Sequence, residues 1–244
     1  MASQAERATS FGAIAADYDR LRPSPADAAV EWLLPEQHDL AVDVAAGTGL
    51  LSRVMARQVK DVIAVELDHR MAAVLRERSP GVHVVQGRGE ALPLADASAD
   101  AVLISSAWHW LDPLRAVPEM ARVLRPGGYL GLLRTGPERS WVNDLRQARE
   151  EDGSRRPPSQ PGFPRTPLFG EVATGSFDST RTMSVEDFVD LMATYSAVIT
   201  ASEDERAVIL DRARAEVVQR FPGASHIDVP LRTRCWRVER VVAG

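Results

Sequence analysis

Asp43 and Glu66 are the two carboxylates whose surroundings could do chemistry, and Gly47 and Gly49 stand between them in the chain. The stretch Asp43-Val44-Ala45-Ala46-Gly47-Thr48-Gly49 follows an apolar run and precedes a helical pattern. Glycines at such a seam permit positive φ and let a ligand approach the backbone, while the helix behind them offers unpaired amides. That is the geometry of a nucleotide cradle. The spacing is Ala45-x-Gly47-x-Gly49, without the third glycine of a dinucleotide fingerprint, and no Gly-Lys-Ser/Thr phosphate loop follows. Pyrophosphate is therefore disfavoured. Glu66 closes DVIAVE about twenty residues further on, where a carboxylate can accept both hydroxyls of a ribose. His109, between Trp108 and Trp110 at the end of another apolar run, is the one imidazole placed to act as a base or an orienting donor. Packing between the two indoles is its alternative role. His38, His69, His83 and His226 have no motif around them, and no Cys/His cluster suggests a metal.

These residues need a scaffold that brings strand ends together. Leu40–Ala45, Asp61–Glu66, Val82–Gln86, Ala99–Ser106 and Gly128–Arg134 read as short buried strands. Helical patterns alternate with them: Leu51, Val54 and Met55 share one face, and Met71, Val74 and Leu75 the next. A third pattern carries Leu114, Val117, Met120, Ala121 and Leu124, with Pro118 predicting a kink or a fresh start. Pro126-Gly127-Gly128 is expected to stop that helix and turn into the strand. Such alternation predicts a parallel sheet, helices on both faces and right-handed crossovers. Beyond Arg134 the regularity loosens. A short helix over Trp141–Glu150, a proline-rich surface loop over 152–167 and a strand near Glu171–Phe177 are expected. Ser184, with Asp187 three residues on, starts a helix; Ser202–Phe221 reads as an amphipathic helix, and Leu231–Val241 as a last strand.

The chain has 244 residues, 45% of them hydrophobic, and a net charge of -5. The acidic balance argues against a phosphate backbone as partner. Cys235 is the single cysteine, so no internal disulfide can form. No apolar run approaches the ~18 residues of a membrane span. The first residues lack a charged-then-apolar leader pattern. A cytoplasmic protein without membrane association is expected.

Taken together, the motifs resemble the class I S-adenosylmethionine-dependent methyltransferases, specifically the small-molecule enzymes with a methyltransferase type 11 domain. VDVAAGTG looks like that family's glycine motif, VIAVELD its acidic motif, GRGEALPLADASADAV the segment before its fourth strand, and ARVLRPGGYL its closing helix-turn-strand. FGAIAADYDRLRP (Phe11–Pro23) looks like its N-terminal lid. SSAWHWLD (Ser105–Asp112) looks like the His-Trp signature of the trans-aconitate methyltransferase-like branch.

The resemblance implies a Rossmann-like α/β fold: seven strands, mostly parallel, with an antiparallel last strand. It implies one domain over 1–244, with a lid in 1–35, a cofactor-binding core in 36–135 and a substrate-side elaboration in 136–244. S-adenosyl-L-methionine is the implied cofactor and S-adenosyl-L-homocysteine its product. Tyr18 and Arg22 would stand near the donor's methionine end, with Asp43, Ala45, Ala46, Gly47, Thr48 and Gly49 beneath it. Glu66 would take the ribose, and Leu67 would flank the adenine opposite Gly89, Glu90 and Ala91. Met71 and Ser105 complete the cofactor set; Trp108, His109 and Trp110 would face the acceptor. That acceptor is expected to be a small molecule, methylated at a carboxylate or hydroxyl oxygen or at nitrogen. No Asp/Asn-Pro-Pro-aromatic motif follows the fourth strand, so nucleic acid is not expected as partner. Monomer and homodimer both stay open. Two alternatives stand beside transfer: a donor-binding protein without activity, and an NAD-type reductase. The latter lacks its third glycine, and with Lys60 the only lysine it cannot supply a Tyr-x-x-x-Lys pair. Phe11, Ile14, Tyr18 and Leu21 at helical spacing suit a lid that orders over the bound donor, or a helix packed on the sheet edge.

Overall fold

Side chains alternate between the two faces of a strand, and that alternation builds the two main layers of this protein. The computed structural model describes residues 10–138, 163, 166–199 and 201–241. Its sheet contains β1 (Leu40–Val44), β2 (Asp61–Glu66), β3 (His83–Gln86), β4 (Ala99–Ser105), β5 (Leu124–Pro137), β6 (Ala173–Ser184) and β7 (His226–Glu239). The spatial order is β3-β2-β1-β4-β5-β7-β6. β1 to β5 pair in parallel, and β7 runs antiparallel to both of its neighbours.

Val42 and Val44 of β1 join Val102 and Ile104 of β4 and Leu130 and Leu132 of β5 in one apolar layer. Helix α5 (Pro113–Val123) closes that layer with Ala116 and Met120. On the other face Ala41, Ala101, Leu103 and Leu133 meet α2 (Asp27–Leu33) and α3 (Leu50–Met55). Leu51, Val54 and Met55 all turn inward, as their spacing predicts. Helix α4 (His69–Arg78) starts at Asp68, whose carboxylate accepts from the Arg70 amide. A 3₁₀ turn (Ser10–Ile14) and helix α1 (Ala15–Leu21) precede these elements, and α6 (Val185–Ala193), α7 (Ser196–Ile199) and α8 (Glu203–Arg220) fill the second half. There a third cluster gathers Met183, Phe188, Leu191, Ile227, Val229 and Leu231 around Leu21 of α1.

Four local expectations change. Helix α5 does not restart at Pro118: it begins at Pro113 under an Asp112 cap and runs through. Pro118 removes the donor to the Leu114 carbonyl, but Leu114 is 81% exposed, contrary to its assigned inward position, so water can replace that donor. Pro126-Gly127-Gly128 does not separate helix from strand. It lies in an excursion of β5, whose pairing with β4 jumps from Ala99–Leu124 to Ala101–Tyr129. The strand near Glu171–Phe177 begins at Ala173 and continues to Ser184. Helix α8 carries the Ser202–Glu205 capping box, yet only Val217 of it is buried. Val208 and Val217 are about two and a half turns apart and face opposite sides, so one stripe cannot bury both. The expected helix over 141–150 lies outside the described residues.

Candidate active site

The strand order reverses at β1, whose neighbours are β2 on one side and β4 on the other. Ligands of open α/β sheets bind in the crevice at the carboxyl ends of the strands flanking such a reversal. Both strands leave the sheet there through a non-glycine residue at left-handed φ, Ala45 at 54° and Ser106 at 57°. Strain of this kind concentrates at functional sites. Gly47 has φ 60°, and a Cβ added there would meet nothing within 4 Å; backbone conformation selects this glycine, and the space beside it is open. Gly49 has φ 86° and also a packing reason, because a Cβ would lie 2.8 Å from Leu75 Cγ.

The two carboxylates hold this loop. Asp43 is fully buried; its Oδ2 accepts a 2.6 Å bond from the Ser52 hydroxyl of α3, while Oδ1 has no partner. Burial pushes the Asp43 pKa up to about 7, against the opposing bond from Ser52. Glu66 Oε2 accepts from the Gly47 amide at 2.7 Å and Oε1 from the Asp68 amide at 2.8 Å. Its pKa is raised, burial outweighing those amide bonds. A carboxylate has about four acceptor positions, so two amides leave capacity for hydroxyl donors.

The N-terminal segment lies across this edge. A side chain at Gly12 would overlap Asp68 and Arg70, so the 3₁₀ turn is laid directly on the start of α4, beside Glu66. Asp19 of α1 pairs with Arg53 Nη2 at 2.6 Å, and Arg53 Nη1 donates to the Thr48 carbonyl at 2.9 Å. Arg53 thus ties helix α1 to the glycine loop. Arg181 of β6 donates to the carbonyls of Leu21 (2.7 Å), Arg22 (3.2 Å) and Arg20 (2.7 Å), capping the end of α1. Arg20 pairs with Asp187 of α6.

Beyond β4 the 3₁₀ turn Trp108–Trp110 carries His109, whose ring stacks on Trp110 at 4.5 Å between centroids. Trp108 turns instead to Phe163 at 5.6 Å, so His109 is not sandwiched between the two indoles. Partial burial of the ring, and then the Arg134 cation, hold the His109 pKa below its ordinary value. Near neutral pH the imidazole is therefore uncharged. Arg22 stacks over the Tyr195 ring at 4.1 Å.

A methyltransferase-domain family matches residues 42–132. An uncharacterized methyltransferase of Mycobacterium tuberculosis is 39% identical over 240 residues, spanning 96% of this chain and 97% of its own length. The chain belongs to this methyltransferase family. A malonyl-[acyl-carrier protein] O-methyltransferase of Methylococcus capsulatus is 35% identical over 156 residues, 59% of this chain and 56% of that protein. A solved structure described as a type II methyltransferase, from Anaeromyxobacter dehalogenans, superposes with a TM-score of 0.71 at 22% identity. It covers 91% of this chain and 99% of that one, a likeness of fold.

The residues of this methyltransferase fit its family's donor. Asp43 Oδ1 and Thr48 Oγ1 are buried polar atoms without partners beneath the loop, and Gly47 leaves open space above it. Leu67, 39% exposed beside Glu66, offers an apolar face to a base. Gly89 is buried against Val44 and Leu111, where a Cβ would come within 3.0 Å. Glu90 accepts from the Asp112 amide at 3.0 Å, fixing the loop after β3 to the cap of α5, and Ala91 bridges back to Arg88. Met71 is 5% exposed and belongs to the packed side of α4. Ser105 ends β4, and Ala46 donates to the Val65 carbonyl. Tyr18 stands near Arg22, its ring 5.2 Å from the guanidinium. Sequence reasoning missed Ser52, Arg53, Arg181 and Tyr195. Ser52 acts only nine residues from Asp43, but Arg53, Arg181 and Tyr195 act across elements far apart in the chain.

Proposed function

We propose that this protein transfers the methyl group of S-adenosylmethionine to an oxygen or nitrogen of a small-molecule acceptor. The observation that carries this reading is the crevice at the β1/β4 reversal, with two buried carboxylates and orphaned polar atoms under an open glycine loop. When bound, S-adenosylmethionine supplies a methyl group already activated on a sulfonium, and S-adenosylhomocysteine remains after transfer. Glu66 would hold the ribose hydroxyls, Asp43 and the loop amides the methionine portion, and Leu67 the adenine. The chain's remaining task is to align acceptor and methyl and to exclude water. His109, kept neutral, can take the proton of a hydroxyl or amine acceptor; a carboxylate acceptor needs no base. Likeness to a malonyl-[acyl-carrier protein] O-methyltransferase supports oxygen as the methylated atom.

Thermal shift with S-adenosylhomocysteine against NAD, followed by turnover of radiolabelled S-adenosylmethionine on an acceptor panel, tests the proposal. Stabilisation by S-adenosylhomocysteine alone with labelled product is expected. Binding without turnover on any acceptor would favour a donor-binding protein, and stabilisation by NAD would sink the reading.

A further inference from the structure

Arg22 and Tyr195 come together where β5 ends. A Cβ added to Gly136 would lie 3.7 Å from the Tyr195 hydroxyl, which places that hydroxyl beside the carboxyl end of β5. Neighbouring strands are spaced ~4.8 Å apart, so β5 stands roughly 10 Å to the side of β1 and its loop. Glu66 and β2 lie on the opposite side of β1. The ribose end of the donor and this tyrosine are therefore on opposite flanks of the reversal, with His109 between them at the end of β4.

The Arg22 guanidinium lies 4.1 Å from the Tyr195 ring centroid. Arg22 Nε and the Tyr195 hydroxyl are both shut from solvent, and among the described residues neither has a partner at ordinary hydrogen-bond distance and angle. Buried donors are normally satisfied, and two orphaned together are an exception that asks for a ligand. Burial raises the Tyr195 pKa, which keeps the hydroxyl a donor, while the nearby cations Arg22 and Arg134 oppose that shift. Their field favours an anion in the same place.

We propose that Arg22 and Tyr195 form a carboxylate-binding subsite for the methyl acceptor. This rests on the methyl-transfer reading above and narrows it: the acceptor is a small acid anchored by a carboxylate at β5, with a second nucleophilic group reaching the end of β4. A planar guanidinium edge and a hydroxyl donor suit the two oxygens of a carboxylate.

Calorimetry on the protein saturated with S-adenosylhomocysteine, using glutarate and its uncharged diamide glutaramide as probes, tests the assignment. Glutarate is expected to bind at least roughly tenfold more tightly than glutaramide, the scale of one charge-assisted hydrogen bond. Tyr195→Phe, which keeps the ring and its packing, should cut that preference several-fold. Arg22→Met should abolish it, and Arg22→Lys should retain part of it. S-adenosylhomocysteine affinity should stay near wild type in Tyr195→Phe. No preference for glutarate in the wild type would overturn the subsite. So would Arg22→Met or Tyr195→Phe weakening S-adenosylhomocysteine while sparing 5′-methylthioadenosine, which lacks the amino-acid carboxylate; the pair would then serve the donor. A wild type that binds no S-adenosylhomocysteine at all would instead remove the methyl-transfer reading, and the subsite with it.

Discussion

Glu66 holds the glycine loop and is the residue proposed to take the ribose. It already accepts the amides of Gly47 and Asp68, so its loss would loosen the loop as well as remove the ribose acceptor. Glu66→Ala is expected to weaken S-adenosylhomocysteine roughly tenfold to several hundredfold by calorimetry, the value of two charge-assisted bonds; unchanged affinity would contradict the assignment. Gly47→Val should be worse, since a β-branched residue cannot adopt φ 60° without strain and would project into the open space. Asp43 carries a pH signature. Its folded pKa is raised to about 7, so between pH ~4 and ~7 the folded state holds a proton that the unfolded state has released. Stability must then fall as pH rises through that window, by at most on the order of 4 kcal/mol, and be level above it. Asp43→Asn keeps an acceptor for Ser52 and removes the buried charge. Urea melts at pH 5 and pH 8 should show the variant less pH-dependent and the more stable at pH 8, with weaker donor binding. Parallel pH dependence in both proteins would refute the argument.

At the scale of elements, the N-terminal segment is pinned unevenly. Helix α1 is held by Arg53 through Asp19, by Arg181 at its end and by Arg20 on α6. The 3₁₀ turn before it is laid on the start of α4. With α1 tied down in this way, we propose that a lid ordering on donor binding does so in its first part. Hydrogen exchange with and without S-adenosylhomocysteine should show protection gained over 10–14 and little change over 15–22; equal protection of both in each state would make the segment scaffold only. Arg181→Ala removes three bonds to carbonyls. It should cost roughly 1–3 kcal/mol and speed exchange at the end of α1, an effect that Arg181→Lys should only partly restore.

For the molecule as a whole, the third apolar cluster matters because Leu21 of α1 is buried in it with Phe188 of α6. Helix α1, the Tyr195 turn and β7 share that cluster, so the proposed acceptor subsite depends on packing remote from the glycine loop. Phe188 is 1% exposed, and Phe188→Ala should cost about 3–5 kcal/mol in urea denaturation. A loss below about 1 kcal/mol would show that the second half collapses around the cavity.

The sequence by itself determined what is periodic or local. Alternating strands and helices, the glycine seam after β1 and Glu66 at the end of β2 were legible because each is written in the spacing of neighbouring residues; the antiparallel direction of the last strand was implied by the family resemblance. Even there the reading slipped where two local signals competed. Pro118 did not break α5, since its missing donor falls on an exposed turn, and α8 carries too few inward positions to form a buried stripe. Only the tertiary structure decided which side chains meet. Ser52 reaches Asp43 from the next helix, Arg53 links Asp19 to Thr48, and Arg181 caps α1 from 160 residues away. Arg22 and Tyr195 become neighbours only because α1 and the turn after α6 converge on the end of β5. Such contacts depend on strand order, register and helix placement, and those are properties of the packed sheet that no local pattern along the chain records.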